Sequence, residues 1–475
     1  MLTRIVTFYQ GNIPRSVVSA QAAVFEKFGQ HIEQVLTHLD HGPAIDEYIR
    51  HSAFDVLLIF DVDCIPLNEN VIPEAIEIVT RRPCLYGIRQ NANHVPGSAD
   101  YVAPAFVCFS RHTFQALGCP SFRAIRGKGD VGFQLTYRAM GGGLVRYLLN
   151  RPPISVRFID VSEAAVPIWS LKDGTRYGTG TSYENKIFHA FGVGGGGLGM
   201  KLFLSKAAEI VGNSTWSSST SRAAPAVVNP ASEVPAYVIS PPDAEVKRRA
   251  TAAHLEKAGI PFRFVDGFDG GIRPVPDRID GAQVLREAFR TENAMARAAS
   301  HRVVHRMISE GDSKLALVLE DDAQPSENFP EVLAAATKLD FDVLKVEGKN
   351  PFTNSVTVGV TDGYRFIVRK SASMGSGGYL ITRSAAARFC RLPAIDQNVD
   401  AAFNDLRLRL RVFEVQPFPV IQDAKNSCVD DTRRFKSRAP LFKRLALSVR
   451  KRHRLVQVYG VKTALLLEIQ RFRRK

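Results

Sequence analysis

The sequence predicts an α/β protein with two domains, each built on a sheet with helices packed against it, followed by a basic tail. Two short apolar runs, residues 54–60 and 315–319, each end abruptly in acidic residues. Runs of this length are typical of central strands in a parallel sheet, and two of them far apart suggest two similar domains. The chain of 475 residues is also too long for one ordinary core, and its 45% apolar content suits folded domains.

The domain boundaries follow from changes in composition. Residues 213–234 are rich in Ser, Thr, Ala and Pro and have little periodicity, which is typical of a linker. We therefore expect a first domain at 1–212, the linker at 213–234, a second domain at 235–431 and a basic tail at 432–475.

The first domain alternates strand and helix patterns, which favours a doubly wound sheet. A strand at 4–9 is followed by a long helix at 16–36, and the next strand, 57–60, runs into the acids. After a break, the remaining predicted elements are a helix at 71–79, strands at 85–89 and 101–110, and a helix at 133–139.

Four side chains of the first domain are candidates for chemistry. Asp61 and Asp63 stand at the C-terminal end of a strand, where open α/β sheets bind ligands, and paired carboxylates there suit Mg²⁺ or Mn²⁺ beside a diphosphate. His189, late in the domain, is a candidate third metal ligand, with a structural role as the alternative. Asp130 is the candidate general base on the acceptor side, with a helix N-cap as the alternative.

Two other interpretations of Asp61 and Asp63 stay open. Asp is a common turn residue, so the pair also fits a solvated turn after a strand. An Asp-x-Asp at a strand end also occurs in haloacid-dehalogenase-type phosphatases, in which the first Asp is a nucleophile. Those enzymes carry the motif on their first strand, whereas here a strand and a long helix precede it.

The first half resembles the nucleotide-diphospho-sugar glycosyltransferases of the GT-A architecture. The resemblance rests on Asp61-Val-Asp63 after a strand, on Asp130 well downstream and on His189 near the end of the domain. It implies that the acids of the motif bind the metal and the donor and that the late His joins them. These features tolerate variable spacing, so they indicate no particular family.

The second domain shows a similar alternation. A strand at 235–240, a helix at 243–258 and a strand at 261–265 lead to a helix that contains Ser300 and His301. The acidic strand end then follows, and beyond it come predicted strands at 341–345, 377–382 and 413–422 with helices at 383–389 and from residue 399.

These motifs, in this order, resemble glycosyltransferase family 25, the lipopolysaccharide-type β-glycosyltransferases, from residue 234 to about 431. The matching pieces are Tyr-Val-Ile-Ser, Phe-x-x-Val-Asp-Gly, Ser-His, Val-Leu-Glu-Asp-Asp, Gly-Gly-Tyr-Leu-Ile-Thr and Pro-Val-Ile-Gln before a Ser. The resemblance implies inversion at the anomeric centre and transfer of galactose or glucose from a UDP donor to a lipooligosaccharide or related acceptor. Residues 296–299 depart from the family's Gly-Cys pair, and Asn398 replaces the Pro of its Pro-Val-Asp.

The acids of this second motif are Glu320, Asp321 and Asp322, which the family resemblance assigns to donor and metal binding. Three adjacent acids at a buried strand end repel one another strongly unless a cation or basic side chains neutralise their charge. We therefore expect all three to bind the donor and Asp322 to bind the metal.

Two further positions complete the second candidate site. His301 is a candidate hydrogen-bond partner of the donor or a structural histidine. With His305 it places two imidazoles at i,i+4, but no third ligand is spaced for zinc. Asp400 is the candidate base, and Asp396 competes with it from one helical turn away.

The net charge of +15 is concentrated in the tail. From Arg433 to Lys475 there are fifteen Lys or Arg and one acid, so this segment carries +14 and the rest of the chain about +1. Interspersed apolar residues make the stripe typical of surface helices that lie on anionic lipid, with a solvated helical cap as the alternative. Nucleic acid is not expected as a partner, because no aromatic interleaving, zinc spacing or recognition-helix pattern accompanies the charge.

The cellular location is inferred from cysteines and apolar segments. The six cysteines show no C-x-x-C spacing and no small disulfide framework, so we expect them to be reduced. Residues 3–9 read as a strand rather than a signal peptide, and no uncharged apolar stretch is long enough to cross a bilayer. We therefore expect a cytoplasmic protein, peripheral on the inner face of the cytoplasmic membrane.

The resemblances together imply two GT-A-like, Rossmann-like nucleotide-diphospho-sugar transferase domains plus a basic, helical C-terminal tail. The expected activity is that of a bifunctional, metal-dependent hexosyltransferase. It would transfer galactose- or glucose-type sugars from nucleotide-diphosphate donors to a bacterial surface glycan or lipopolysaccharide precursor. In one alternative, only the C-terminal domain is catalytic and the N-terminal domain binds glycan or donor. In another, the tail makes the protein a lipid- or nucleic-acid-binding module.

Overall fold

The chain divides into two compact units, residues 1–224 and 225–475. A computed structural model describes residues 1–93, 95, 97–125, 129–141, 154–195, 197–212, 234–269, 273–348, 355–361, 363–422, 455, 458, 459 and 463. The predicted linker, apart from Val234, and most of the predicted tail therefore lie outside the described residues. No helix in the described part of the chain has the length and apolar character needed to cross a membrane.

The first unit contains ten described strands in two sheets. They are β1 Thr3–Tyr9, β2 Glu33–Leu36, β3 Val56–Asp61, β4 Cys64–Pro66, β5 Cys84–Asn91, β6 Asp100–Ser110, β7 Ser155–Ile159, β8 Val161–Ser170, β9 Arg176–Tyr183 and β10 Ile187–His189. The six-stranded sheet has the order β2-β1-β3-β6-β5-β7, and the four-stranded sheet has the order β4-β10-β9-β8. Strand β3 consists of consecutive large apolar residues because it is buried on both faces.

The large sheet is mixed, which corrects the prediction of a purely parallel surrounding for the acidic strand. Strand β3 pairs in parallel with β1 on one side but antiparallel with β6 on the other. The apolar run 101–110 has the same composition in either direction, so its sequence pattern does not reveal its orientation.

Six described helices belong to the first unit: α1 Arg15–Lys27, α2 His41–His51, α3 Val71–Arg81, α4 Arg111–Ala116, α5 Phe133–Ala139 and α6 Leu198–Val211. Helix α1 buries Val17, Ala20, Val24 and Phe25, which recur at helical spacing. The predicted helix at 16–36 is wrong beyond Lys27. Gly29 has φ +66°, a left-handed conformation that ends helices, and the chain then forms strand β2.

The second unit contains thirteen described strands: β11 Ala236–Ser240, β12 Phe262–Asp266, β13 Arg278–Ile279, β14 Ala282–Val284, β15 Leu315–Glu320, β16 Ala323–Pro325, β17 Val343–Lys345, β18 Ser355–Thr361, β19 Tyr364–Arg369, β20 Gly378–Thr382, β21 Ala394–Ile395, β22 Val412–Gln416 and β23 Val420–Gln422. The main sheet has the order β12-β11-β15-β20-β17-β22-β19-β18. Strands β13, β14 and β21 form a small sheet, and β16 pairs with β23.

Its described helices are α7 Glu245–Lys257, α8 Glu292–Glu310, α9 Phe329–Ala336, α10 Arg383–Cys390 and α11 Val399–Ala402. Thr291 caps α8, since its side chain accepts a hydrogen bond from the backbone N–H of Ala294. The predicted single strand at 413–422 is instead two strands, β22 and β23. Pro417 and Pro419 lie between them, and neither supplies the N–H that a continuous ladder needs.

The main sheets of the two units share one plan. The order β2-β1-β3-β6-β5 in the first unit has the same strand directions as β12-β11-β15-β20-β17 in the second. In both units the strand that ends in acids has a parallel neighbour on one side and an antiparallel neighbour on the other. In both, a short strand follows the acids and pairs antiparallel with a late strand of the unit.

Two described residues of the tail pack on the second unit. Leu455 is fully buried in a cluster with Val368, and the Tyr459 ring stacks on Phe413. The hydroxyl of Tyr459 donates to the backbone carbonyl of Val412 at 2.9 Å. Leu455 is one of the apolar residues of the tail that we expected to face lipid. It is instead buried in this hydrophobic cluster of the second unit.

Candidate functional site

The first candidate site lies where β3 ends. Asp61 is the last residue of β3, and Asp63 follows just before β4. The buried Gln21 holds this turn, because its side-chain amide donates to the backbone carbonyls of Asp61 at 2.7 Å and Cys64 at 3.0 Å. The backbone N–H of Ala190 donates to the carbonyl of Asp63 at 3.0 Å, which ties the turn to the end of β10.

Strand β10 brings His189 to the two acids. Its register places His189 opposite Cys64, the residue after Asp63. The His189 Nε2 atom lies 3.2 Å from Asp63 Oδ1 and 3.8 Å from Asp61 Oδ2. One ligand atom from each of these three side chains lies within 4.8 Å of the others. Two carboxylates and an imidazole suit Mn²⁺ or Mg²⁺, so these residues fit a divalent cation.

Two residues that sequence reasoning missed support this group. His41, at the start of α2, places its Nε2 atom 3.2 Å from Asp61 Oδ1. The buried Gln90 on β5 places its side-chain Nε2 atom 3.2 Å from the Nδ1 atom of His189, and it also donates to the Tyr183 hydroxyl. Groups behind a metal-binding imidazole fix its orientation. No local spacing links these residues to the acids, so only the sheet order reveals them.

The charges at this site are coupled. Burial raises the pKa of Asp61, the His41 and His189 imidazoles oppose that shift, and the carboxylates of Asp63 and Asp130 reinforce it. Asp130 therefore lies near enough to Asp61 to influence its ionisation. The N-cap alternative for Asp130 is wrong, because Gly132 occupies the cap position of α5 and Asp130 Oδ1 accepts from the N–H of Val131.

A cleft of about 310 Å³ opens beside the two acids. It is lined by the ends of β1 and β2 and by the glycine-rich segment after β10, including Tyr9, Asn12, Thr37, Asp61, Asp63 and Gly194.

The second candidate site lies where β15 ends. Glu320 is the last residue of β15, and its carboxylate is surrounded by donors. The Ser376 hydroxyl donates to Glu320 Oε1 at 3.0 Å, His301 Nε2 lies 3.4 Å from that oxygen, and Arg297 Nε lies 3.6 Å from Oε2. Burial alone would raise the pKa of Glu320, but His301, Arg297 and Ser376 together lower it to about 2.

Asp321 and Asp322 have different surroundings. The Ser240 hydroxyl donates to Asp321 Oδ2 at 2.9 Å, and Lys247 Nζ lies 3.8 Å from Asp321 Oδ1. Burial, with the charges of Glu320 and Asp321, raises the pKa of Asp322 to about 6. The amide of Gln422 donates to Asp322 Oδ1 at 3.4 Å.

Gln422 occupies the position that corresponds to His189. It lies opposite Ala323, the residue after Asp322, just as His189 lies opposite the residue after Asp63. Among the described residues, the acids of the second unit have no third His, Cys or carboxylate ligand within the spacing found in the first. The metal role of Asp322 therefore stays a prediction.

His301 and His305 share one partner rather than a metal. Nδ1 of His301 and Nε2 of His305 each lie 2.8 Å from the Tyr379 hydroxyl. Burial, reinforced by the nearby His301 and Arg302, lowers the pKa of His305 well below its usual range, so this imidazole is neutral. The zinc interpretation finds no support here, since a tyrosine hydroxyl joins the two rings.

A glycine loop, residues 373–377, connects Asp400 to the acids. Asp400 Oδ2 accepts from the N–H of Gly375 at 3.2 Å, and the next residue of the loop, Ser376, contacts Glu320. The buried Lys345 donates to the carbonyls of Ser373 and Gly375 at 2.6 and 2.7 Å. Asp396, the alternative base, instead forms an ion pair with Arg407.

In the second unit, Glu347 is a further residue that the sequence did not single out. Its carboxylate accepts from the N–H of Gly377 at 3.1 Å and is nearly fully buried. Burial raises its pKa to about 7, with Glu320 and Asp322 adding to the shift and Lys345 opposing it. Glu347 lies just after β17 and has no acid next to it in the sequence, so no local motif indicates that it is buried near the other acids.

Residues 233–401 match the family described as glycosyltransferase family 25 (LPS biosynthesis protein). The match includes His301, Glu320, Asp322 and Asp400 and excludes the first unit. It confirms the resemblance of the second half, and the protein is therefore a glycosyltransferase. No curated protein matches the chain.

Among solved structures, one titled "Crystal Structure of A197 from STIV" matches at 11% identity with a TM-score of 0.23. The alignment covers 37% of this chain and 93% of that chain. A likeness at this TM-score carries no argument about fold or function.

Proposed function

We propose that the protein is a bifunctional glycosyltransferase in which each unit binds a nucleotide-diphosphate sugar at the acidic end of its central strand. The acceptor is a bacterial surface glycan or lipopolysaccharide precursor, and the donors are galactose- or glucose-type sugar nucleotides such as UDP-sugars. The observation that carries this proposal is the shared plan of the two units. The first unit and the second unit, which contains the family 25 match, have the same arrangement: acids end a central strand, a short strand follows them, and a late strand pairs with that short strand.

Both units are proposed to have the GT-A architecture. Each has a parallel group of strands at its N-terminal half, an antiparallel strand beside the acidic strand, and ligand groups at the strand ends. Ligands of open α/β sheets bind at the carboxyl ends of the strands, which is where Asp61 and Asp63 and the acids 320–322 lie.

For the first unit we propose a divalent metal held by Asp61, Asp63 and His189. The three side chains offer oxygen and nitrogen ligands at mutual distances within 4.8 Å, which fits Mn²⁺ or Mg²⁺. A cation bound there would offset the charge of a departing nucleotide diphosphate. The adjoining cleft of about 310 Å³ is the proposed place of the nucleotide.

The proposed reaction is a displacement at the anomeric carbon. An acceptor hydroxyl oxygen forms the new bond to that carbon, while the bond to the diphosphate oxygen breaks and its electron pair leaves with the diphosphate. The hydroxyl proton passes to a carboxylate, Asp130 in the first unit and Asp400 in the second. The resemblance of the second unit implies inversion, and the stereochemical course of the first unit stays open.

The donor site of the second unit is proposed to use Glu320, Asp321, Asp322 and His301. Lys247 and Arg297 approach Asp321 and Glu320 and bring positive charge to the place where a diphosphate would bind. The Glu320 carboxylate and the Tyr379 hydroxyl, which also contacts His305, fix the orientation of the His301 ring.

We also propose that the basic tail brings the enzyme to the inner face of the cytoplasmic membrane. Its charge of +14 suits anionic lipid, and the acceptor class is membrane-bound. Leu455 and Tyr459 then attach the tail to the second unit rather than to lipid.

The alternative is that only the second unit transfers sugar and the first binds glycan or donor without turnover. A panel of sugar nucleotides, assayed for hydrolysis with Mn²⁺ or Mg²⁺, separates the two. The intact chain is compared with an Asp61→Ala/Asp63→Ala variant and an Asp321→Ala/Asp322→Ala variant. We expect each variant to lose a different donor activity; if only the second variant loses activity, the alternative is correct.

A further inference from the structure

Three aromatic rings stand beside the proposed metal site of the first unit. The centroid of the Phe191 ring lies 3.8 Å from that of the His189 ring, and the centroids of Trp169 and Phe191 lie 5.1 Å apart. Trp169 also lies 5.5 Å from Tyr177, its partner across the β8–β9 hairpin. We call Trp169, Tyr177 and Phe191 the aromatic platform.

The platform has a buried base and partly exposed upper rings. Tyr177 is buried, and its hydroxyl donates to the side-chain oxygen of Asn91 at 2.8 Å. Trp169 and Phe191 remain partly exposed. Tyr177 and Asn91 therefore support rings whose remaining surface is free to contact a ligand.

Phe191 has an unusual backbone conformation for a bulky residue. Its φ of +58° lies in the left-handed region, which costs a residue with a side chain on the order of 1 kcal/mol or more. Phe191 lies two residues after His189, so this left-handed conformation occurs close to a proposed metal ligand. Strained residues of this kind concentrate at binding sites, where the surrounding structure fixes them.

The platform adjoins the nucleotide cleft, because Gly192, the residue after Phe191, lines that cleft. The residues that line that cleft include Tyr9, Asn12 and Thr37 but none of the three platform rings. Burial raises the pKa of Tyr177 to about 12, and the carboxylates of Asp100 and Asp130 contribute to that shift.

We propose that Trp169 and Phe191 form the acceptor subsite of the first unit and bind a hexopyranose ring of the glycan by stacking. This inference rests on the proposed function of the unit. Aromatic faces are electron-rich and apolar, and they complement the C–H groups on one face of a pyranose ring. A sugar stacked here would lie beside the proposed metal site, because the Phe191 ring packs on the His189 ring.

The chain offers an internal probe of this subsite. It contains two tryptophans, and the other, Trp216, lies in the predicted linker. In a Trp216→Phe chain, the fluorescence therefore reports on Trp169 alone. We expect methyl β-galactopyranoside or methyl β-glucopyranoside to change the emission of Trp169 with saturation. Sorbitol, which has hydroxyl groups but no ring face, serves as the control and leaves the emission unchanged.

Substitutions then test each ring in the Trp216→Phe background. Phe191→Gly removes one ring at a position that glycine tolerates, and we expect a loss of sugar affinity of roughly three- to tenfold, about the effect of one lost stacking contact. Trp169→Leu is measured by calorimetry with the same glycosides and should lose as much, whereas Trp169→Phe keeps a ring and most of the affinity. Unchanged binding in both Phe191→Gly and Trp169→Leu would overturn the proposal.

Calorimetry with Mn²⁺ and UDP on the same proteins distinguishes failure of the acceptor subsite from failure of the proposed function. We expect the platform variants to retain both ligands, which also shows that they are folded. If sugar binding is insensitive while Mn²⁺ and UDP still bind at Asp61 and Asp63, the acceptor subsite is wrong and the proposed function stands. If the intact chain binds neither Mn²⁺ nor UDP through these acids, the function of the unit is wrong and the subsite falls with it.

Discussion

The two acidic strand ends have the same backbone plan but opposite means of neutralising their acids. In the first unit, the imidazoles of His41 and His189 lie beside the two acids, and His189 comes from the late strand β10. In the second unit, the corresponding late-strand residue is Gln422, which is no usual metal ligand, while arginine and lysine side chains approach the acids. The same sheet plan thus carries two acids with imidazoles in the first unit and three acids with arginine and lysine side chains in the second.

This difference is informative because the surrounding geometry is so similar. A carboxylate pair with an imidazole is a set of metal ligands, whereas the three acids of the second unit lie beside the positive charges of Arg297 and Lys247. We therefore expect the first unit to bind free metal more tightly and the second to depend more on its basic side chains for the donor diphosphate.

The largest expected effect is that of metal removal on the two units separately. The Asp321→Ala/Asp322→Ala chain reports on the first unit, and its turnover should fall on the order of 100-fold or more in EDTA. The Asp61→Ala/Asp63→Ala chain reports on the second unit and should lose less. Initial rates of sugar-nucleotide hydrolysis, with and without restored Mn²⁺, provide the measurement. Equal losses in the two chains would remove the proposed distinction.

Exchanging the late-strand residues tests the comparison at a single position. We expect His189→Gln to lower the Mn²⁺ affinity of the first site by roughly 10–100-fold, because an imidazole ligand is replaced by a weak amide ligand. Gln422→His should raise Mn²⁺ binding at the second site. Both are measured by electron paramagnetic resonance of free Mn²⁺, with UDP absent. A first site that keeps its affinity without His189 would exclude that residue as a ligand.

Arg297 offers a test of charge compensation in the second unit. Removing it in Arg297→Ala leaves Glu320 with less positive charge and weakens attraction of a diphosphate, so the KM for the donor should rise by about three- to tenfold. Arg306→Ala, on the same helix but paired with Glu310, is the matched control. A KM that responds equally to both substitutions would point to net charge rather than to the site.

The smallest expected effect concerns the stability of the second unit. The pKa of Glu347 is raised to about 7 from an ordinary value of 4.5, so the folded state holds this proton more tightly than the unfolded state. Its contribution to stability is therefore greatest below pH 4.5 and falls as the pH rises to 7. Glu347→Gln should stabilise the unit by about 1–3 kcal/mol at pH 8 and little at pH 4.5.

Calorimetric unfolding of Glu347→Gln and the parent chain at the two pH values measures this effect. Glu256→Gln, at an exposed position of α7, serves as the surface control and should show no such pH dependence. A stabilisation of Glu347→Gln that is the same at both pH values would mean that ionisation of Glu347 is not its source.

Much of the fold was predictable because short apolar runs are constrained. The strand before Asp61 and the strand before Glu320 were predicted from their composition and length, and both lie at the centre of a sheet. The helix predicted at 16–36 failed because its apolar spacing continues past Gly29, whose left-handed φ ends the helix. Strand direction was not predictable, since an apolar run looks alike in parallel and antiparallel pairs.

Candidate site residues could be recognised in the sequence chiefly where they follow a strand directly. Asp61 and Asp63 and the second acidic motif carry a local signal, and a late His was a reasonable partner by resemblance. His41, Gln90 and Glu347 come to the acids from distant elements, so sheet order and register decide their roles. The importance of Gln422 emerges only from its register opposite Ala323.

The most direct test of the central comparison is the number of Mn²⁺ ions bound by the intact chain without nucleotide. Calorimetric titration, with electron paramagnetic resonance of free Mn²⁺ as a second readout, gives this stoichiometry. We expect one tightly bound ion per chain, lost in Asp61→Ala/Asp63→Ala and retained in Asp321→Ala/Asp322→Ala. Two ions of equal affinity, or one ion that survives the first variant and disappears in the second, would contradict it.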